Sequence, residues 1–286
     1  MRYGVPYRGS KNKIADWVVD HLPEGKTLVD LFAGGCAVTH AAILAGRWEN
    51  FIINDLGDAP EVFENAVNGK YANEKRWISR EDFYKLKDSD PYVRYCWSFG
   101  NNGTDYLYGK DIEPIKKAIH CARVFNDDSL MSQLKESNKS ERLVSYEKPE
   151  SLQSLQRLQR LQSLQRLQRL QSLQRLQRLQ LDYRNVEIPQ GAVVYADPPY
   201  KNTRCTGYAG QFDYDAFEKW LADVPFMVIV SEYNAPKGCT EIANIKKRQT
   251  MGTGNKGGTN TEKLFVQDRF YERYKCAMNY QIEMEA

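Results

Sequence analysis

Apolar positions along the chain fall into two periods, and each period stops at a glycine, a proline or an acid. Ile14, Trp17, Val18 and Leu22 share one face at helical spacing, which predicts a helix over Ile14–Leu22. Lys26–Phe32 reads as a strand, Ala33-Gly34-Gly35 breaks it, and Ala37–Leu44 reads as a helix. Phe51-Ile52-Ile53 is a second strand ending in Asn54-Asp55. The run Ala192–Ala196 is β-branched and aromatic, which favours a buried strand. Pro198 and Pro199 lack the backbone donors needed to extend a ladder, so Asp197 sits just past that strand's end. Phe212–Leu221 predicts another helix, Phe226–Val230 a strand closed by Ser231–Asn234, and Glu262–Val266 a last strand. Strands alternating with helices predict an α/β sheet.

Two stretches break this rhythm. From about Leu56 to Pro149 the chain is aromatic and charged with weak strand signals, which predicts a small helical region. From Ser151 to Gln180 it consists of ten triplets of Ser-Leu-Gln or Arg-Leu-Gln. A spacing of three drifts about 60° per triplet round an α-helix, so the leucines form no fixed face. A uniquely packed role is therefore not expected, and a change in length should be absorbed there. The six arginines of the repeat turn a balance of −3 into the formal +3 of the whole chain. They leave open a tolerated low-complexity expansion, a basic arm that tracks phosphates, and a partner-binding helix.

Composition narrows the class. A hydrophobic fraction of 42% is ordinary for a globular protein. The six cysteines are scattered with no Cys-x-x-Cys pair, which argues against a zinc site or a disulfide framework and fits a reducing cytosol. No run approaches about 18 apolar residues, so a soluble cytoplasmic protein without membrane or metal is expected.

Candidate chemistry gathers at the strand ends, where open α/β sheets place their ligands. A strand, glycine loop, helix, second strand and acid (Asp55) in that order form an adenosine-site layout that fits a nicotinamide cofactor or S-adenosylmethionine. Gly9 and Ser10 permit a turn before the first helix, and Lys11 adds positive charge there. Asp197, the Pro198 carbonyl and the Tyr200 ring would suit a flat ring bearing an amine. In the middle region Asn101, Asn102, Tyr106, Lys116, Lys117 and Arg123 put amides and cations beside aromatics, as base edges and phosphates require. Lys201 and Arg204 lie in a polar loop suited to a nucleic-acid backbone or to substrate gating.

The string Asp197-Pro198-Pro199-Tyr200 resembles the catalytic motif of S-adenosylmethionine-dependent amino-methyltransferases. Trp97-Ser98-Phe99-Gly100-Asn101-Asn102, Ser231-Glu232-Tyr233 and Glu262-Lys263-Leu264-Phe265 extend the resemblance to Dam-type (D12 class) adenine-N6 DNA methyltransferases of phage type. The resemblance implies a Rossmann-like class I methyltransferase sheet with an inserted, mainly helical target-recognition domain. The expected division is 1–56 and 181–286 for the catalytic domain, 57–150 for target recognition, and 151–180 for the repeat. It implies a methyl-donor site at Tyr7, Lys11, Asp30, Phe32, Gly34, Asp55, Asp182 and Asp197, with catalysis by Asp197, Pro198 and Tyr200. Cys36 stands where the family's Asp-x-Phe-x-Gly-x-Gly has its last glycine. The expected partners are double-stranded DNA and S-adenosylmethionine. Both a restriction–modification pair with a cognate restriction enzyme and a phage orphan methylase remain open. So do methylation of cytosine N4, RNA or protein, and a non-catalytic DNA-binding relative.

Overall fold

The computed structural model describes residues 2–136, 165–167, 175–200, 212–248 and 259–285. The chain divides into two compact units, Ser10–Pro60 with Ser172–Ala286 and Met1–Gly9 with Glu61–Gln171.

The first of these is built on a seven-stranded sheet in the order β3-β2-β1-β4-β5-β7-β6. Its strands are β1 (Thr27–Asp30), β2 (Asn50–Asn54), β3 (Arg175–Leu179), β4 (Val193–Ala196), β5 (Val228–Glu232), β6 (Cys239–Arg248) and β7 (Thr259–Gln267). β1 to β5 run parallel, and β7 enters antiparallel between β5 and β6. Strand order reverses between β1 and β4, which is where a Rossmann-like sheet opens a crevice beyond its strand ends. The expected α/β, Rossmann-like class is the one observed.

The central strands follow from their composition. β4 and β5 are buried at every position, as parallel strands covered on both faces must be. Val29, Val194, Ala196, Val228 and Val230 join Leu31, Phe217 and Leu221 in one apolar cluster. Each fully buried Val or Leu contributes about 1.5–3 kcal/mol relative to exposure. The helix Ala37–Ala45 follows β1 and ends at Gly46, whose φ of 72° serves as a left-handed cap.

The edge strand corrects the expectation for the repeat. Arg175–Leu179 belongs to the last two triplets, and it pairs with Asn50–Asn54 of β2 in parallel register. A three-residue period gives no helical face, but along five extended residues it sends Leu176 to one face of the sheet and Leu179 to the other. That suits a strand with packing on both sides, and Leu179 packs against the apolar cluster. β6 and the helix Tyr271–Glu285 also went unpredicted, because neither carries a clean apolar period.

The second unit is mainly helical. Ser79 caps the helix Arg80–Leu86 and Asp90 caps Pro91–Cys96 through side-chain acceptors. Its core is aromatic, with Trp97, Tyr92, Phe83 and Tyr106 all buried. The repeat enters this core too: Leu167 is buried, and Gln165 Nε2 donates to the carbonyl of Ala72 at 3.0 Å.

Candidate active site

The site is assembled at the C-terminal ends of β1, β2 and β4. Asp30 closes β1 opposite Tyr195 of β4, and Asp197 follows β4 directly. Asn54 ties these ends together: its side-chain amide donates to the carbonyls of Leu31 and Leu181, and its oxygen accepts from the Leu181 amide. These bonds, made across 127 residues of chain, bring the 181–183 segment back to the crevice.

Beyond β1 the backbone turns through Gly34 at φ 47° and Cys36 at φ 55°. The left-handed region costs a non-glycine residue roughly 1–2 kcal/mol, so Cys36 keeps the turn of the family's missing glycine at some expense. Asp55 grips this loop. One oxygen accepts from the Gly34 amide at 2.8 Å and the other from the Gly57 amide at 2.7 Å. Asp30 accepts from Thr39 Oγ1 at 2.7 Å through one oxygen. Its other oxygen is buried and has no hydrogen-bond partner among the described residues. Burial, helped by Asp197 and Asp55 and opposed by Thr39, pushes the Asp30 carboxyl up to about 7. A cation arriving at that open oxygen would satisfy it.

Around Asp197 lies a second polar group. Lys11 Nζ stands 2.8 Å from Asp197 Oδ1 and 3.8 Å from Glu262 Oε2, with Lys11 and Glu262 buried. The same ammonium lies over the Tyr200 ring, 4.5 Å from its centroid. The Tyr200 phenol is 2.7 Å from both Ser231 Oγ and Glu262 Oε2. Burial lowers the Lys11 pKa, but Asp197 and Glu262 outweigh it, so Lys11 is raised and charged. Burial raises Asp197, Glu262 adds to that, and Lys11 opposes both. The arrangement can hold a carboxylate ready to accept hydrogens in a nearly dry setting.

The expected site residues have several fates. Lys11, Asp30, Gly34, Asp55, Asp197, Pro198 and Tyr200 gather at the strand ends of the sheet unit, and Phe32 packs beside them against Tyr183 at 5.3 Å. Asp182 also lies at this edge, but its carboxylate is held bidentately by Arg184 at 2.8 and 2.7 Å. Tyr7 belongs to the helical unit, where its ring lies 5.7 Å from that of Tyr95. In that unit Lys117 and Arg123 are exposed. Tyr106 and Lys116, expected at a nucleic-acid surface, are instead buried. Tyr106 fills the aromatic core and donates to the Ile78 carbonyl at 2.7 Å, so its spacing beside the amides reflected packing. Asn102 shapes its own turn by accepting from the Thr104 and Asp105 amides, and Asn101 sits in the left-handed region. Lys201 and Arg204 lie outside the described residues. Sequence reasoning missed Ser231 and Glu262 as members of the site. The available signal was a carboxylate in an apolar strand, Glu262 before Leu264-Phe265-Val266.

No three His, Cys, Asp or Glu side chains among the described residues form a metal cluster, and no helix among them is long and apolar enough to cross a membrane. No curated protein matches the chain significantly. Among solved structures, two of an rRNA methyltransferase, aviRa, from Streptomyces viridochromogenes are similar in outline. One is 14% identical, covers 95% of this chain and 91% of its own, and has a TM-score of 0.41. The other is 13% identical, with coverage of 93% and 89% and a TM-score of 0.40. A model of the D12 class N6 adenine-specific DNA methyltransferases matches residues 7–241, which takes in both Lys11 and Asp197. With the match spanning most of its length, the chain belongs to the family of D12 class N6 adenine-specific DNA methyltransferases.

Proposed function

We propose that this adenine-specific DNA methyltransferase uses Asp197 as the acceptor for the target amine, in the crevice beyond β1 and β4. The observation that carries the reading is the Asp197 carboxylate, held at the end of β4 by a buried lysine and adjoining the Asp30 and Asp55 loop. Adenine N6 lies within the base stack of duplex DNA, so the base must leave the stack to reach such a site. Asp197 and the Pro198 carbonyl would then accept the two hydrogens of the amine. Those bonds oppose delocalisation of the nitrogen lone pair into the ring and aim it outward. Positioning supplies much of the acceleration.

The residues present fit S-adenosylmethionine. The open, buried oxygen of Asp30 suits the donor's ammonium, the Gly34 turn admits close backbone approach, and Asp55 suits ribose hydroxyls. When bound, the donor supplies an electrophilic sulfonium methyl. Phe32 and the pair Asp182-Tyr183 would border its adenine. For that role the Asp182 carboxylate must share or release Arg184.

Residues 57–150 are the proposed target-recognition domain, and Asn101, Asn102, Lys117 and Arg123 its candidate DNA contacts, joined by Lys201 and Arg204. Lys117 and Arg123 would meet phosphates, which position the protein without reading sequence. A cytoplasmic location, and a restriction enzyme as companion, belong to this proposal as well.

The test is transfer of labelled methyl from S-adenosylmethionine to duplex DNA, with nucleosides resolved by mass spectrometry. Wild-type protein should yield N6-methyladenine and Asp197→Asn none. Wild-type turnover by a folded Asp197→Asn protein would remove the assignment.

A further inference from the structure

We infer that Glu262 is a positioning residue for methyl transfer: it fixes the Tyr200 phenol and gives Lys11 a second carboxylate, so that Lys11 can yield Asp197 Oδ1 to the incoming amine. The inference rests on Asp197 being the amine's acceptor.

Four separate parts of the sheet unit converge here: Lys11 before the first helix, Asp197 and Tyr200 after β4, Ser231 in β5 and Glu262 in β7. Lys11 is bonded to Asp197 Oδ1 at 2.8 Å, a position that competes with any amine docking on that oxygen. Leaving Asp197 without a new partner would strand a buried ammonium, which is costly. Glu262 Oε2 removes that obstacle, because it stands only 3.8 Å from the same Nζ. A shift of about one ångström brings Lys11 to a normal charge-assisted distance from Glu262. The Tyr200 ring lies beneath the ammonium at 4.5 Å and offers a cation–π surface along that path.

Glu262 also accepts from the Tyr200 phenol at 2.7 Å, while Ser231 holds the same phenol at 2.7 Å. One side chain thereby sets both the ring next to the acceptor and the resting place of the lysine. Folding alone does not call for this design. Lys11 needs one carboxylate for charge balance, and a second buried carboxylate adds desolvation cost and repels Asp197. A second carboxylate within reach of the same ammonium is explained if the lysine must change partners during each turnover.

The consequence for pH can be signed. Asp197 acts as a carboxylate, so turnover falls on the acid side as it takes up a proton. Glu262 raises Asp197, and removing its charge should move the acid limb to lower pH. Tyr195, Tyr200 and Asp30 also face Asp197, and Tyr233 faces Lys11; all stay in place in the variants below.

The experiment compares full-length wild type, Glu262→Gln, Glu262→Asp and Asp197→Asn in kcat, KM, kcat against pH, donor affinity by calorimetry and thermal melting. Glu262→Gln keeps an acceptor for Tyr200. It should fold, bind S-adenosylmethionine as wild type does, and lose roughly tenfold to a hundredfold in kcat, the scale of a small misplacement at the reacting groups. Its acid limb should move down, and Glu262→Asp should return the limb toward the wild-type position. Wild-type kcat with an unmoved limb would overturn the inference. So would loss of kcat matched by loss of folding with no shift of the limb, which would mark Glu262 as structural. Should Glu262→Gln fail to fold, Glu262→Asp must fold and still turn over slowly; wild-type turnover from it would also overturn the inference. An active Asp197→Asn would instead refute the premise, and the two failures are thereby told apart.

Discussion

The centre and the edge of the sheet are specified in opposite ways. β1 and β4 are short, buried at seven of their eight positions and unlike any other segment of the chain, and the residues at and just past their ends carry the site. β3 is half exposed, polar at three of five positions, and copied from a repeat. The centre is held by burial, where each side chain has one place. The edge is held by backbone pairing to β2, where many sequences would serve. Chemistry is thus anchored where substitution is least tolerated, and length variation is admitted where side chains matter least.

The sharpest way to break this contrast is Asp197→Asn. It keeps the shape of a strand-end side chain and removes its charge, and at least about a hundredfold of kcat should go with it. Methyl incorporation into duplex DNA measures this. Alanine is a poorer test, because it would leave Lys11 buried beside Glu262 only.

Next in size is Lys11→Met, which strips the cation from the buried Glu262 and the half-buried Asp197. Stability should fall by about 3–5 kcal/mol in urea titration, the cost of breaking a buried pair from one side. Stability unchanged within error would mean that the strand ends do not depend on the pair.

A smaller effect sharpens the donor side of the comparison. The Asp30 carboxyl, at about 7, must be ionised to receive an ammonium. Donor binding should therefore release a proton. Affinity should weaken by up to about tenfold per pH unit below 7, since one unit is worth about 1.4 kcal/mol. Calorimetry between pH 5.5 and 8 checks this, and Asp30→Asn should bind weakly with a flat profile.

The smallest effect is expected at the edge. Removing Ser163–Gln171 deletes one nine-residue copy and brings Gln156 and Leu158 to the spacing of Gln165 and the buried Leu167, so stability should change by less than about 0.5 kcal/mol. Thermal melting of the two chains measures it, and a large loss would show that the copies are not equivalent.

Much of the centre was legible. The β-branched runs at 193–196 and 226–230, the Ala33–Gly35 break and the acid at Asp55 predicted their strands and loop within a few residues. Asp197 was legible because two prolines force the chain out of the sheet after it. Glu262 and Ser231 were not, because their partner Tyr200 lies 62 and 31 residues away and only the folded sheet brings them together. Tyr106 and Lys116 misled for a related reason: aromatics and cations serve a buried core and a nucleic-acid surface alike. β3 was missed because a period of three matches neither the helix nor the strand, and only pairing with β2 selects the extended form.

The pentapeptide of β3, Arg-Leu-Gln-Arg-Leu, also occurs at Arg157–Leu161 and Arg166–Leu170. A polymerase that slips by nine codons here cannot erase the strand, whichever copy it drops, because the surviving allele still reads Arg-Leu-Gln-Arg-Leu before Gln180-Leu181-Asp182. One loss even restores a leucine at the place of Leu167, since Leu158 moves into its spacing. A second loss would bring Pro149 there instead, and the helical unit would forfeit a buried side chain. The gene can shorten once in frame without altering either anchored segment of the protein, and it meets its first structural penalty at the second step.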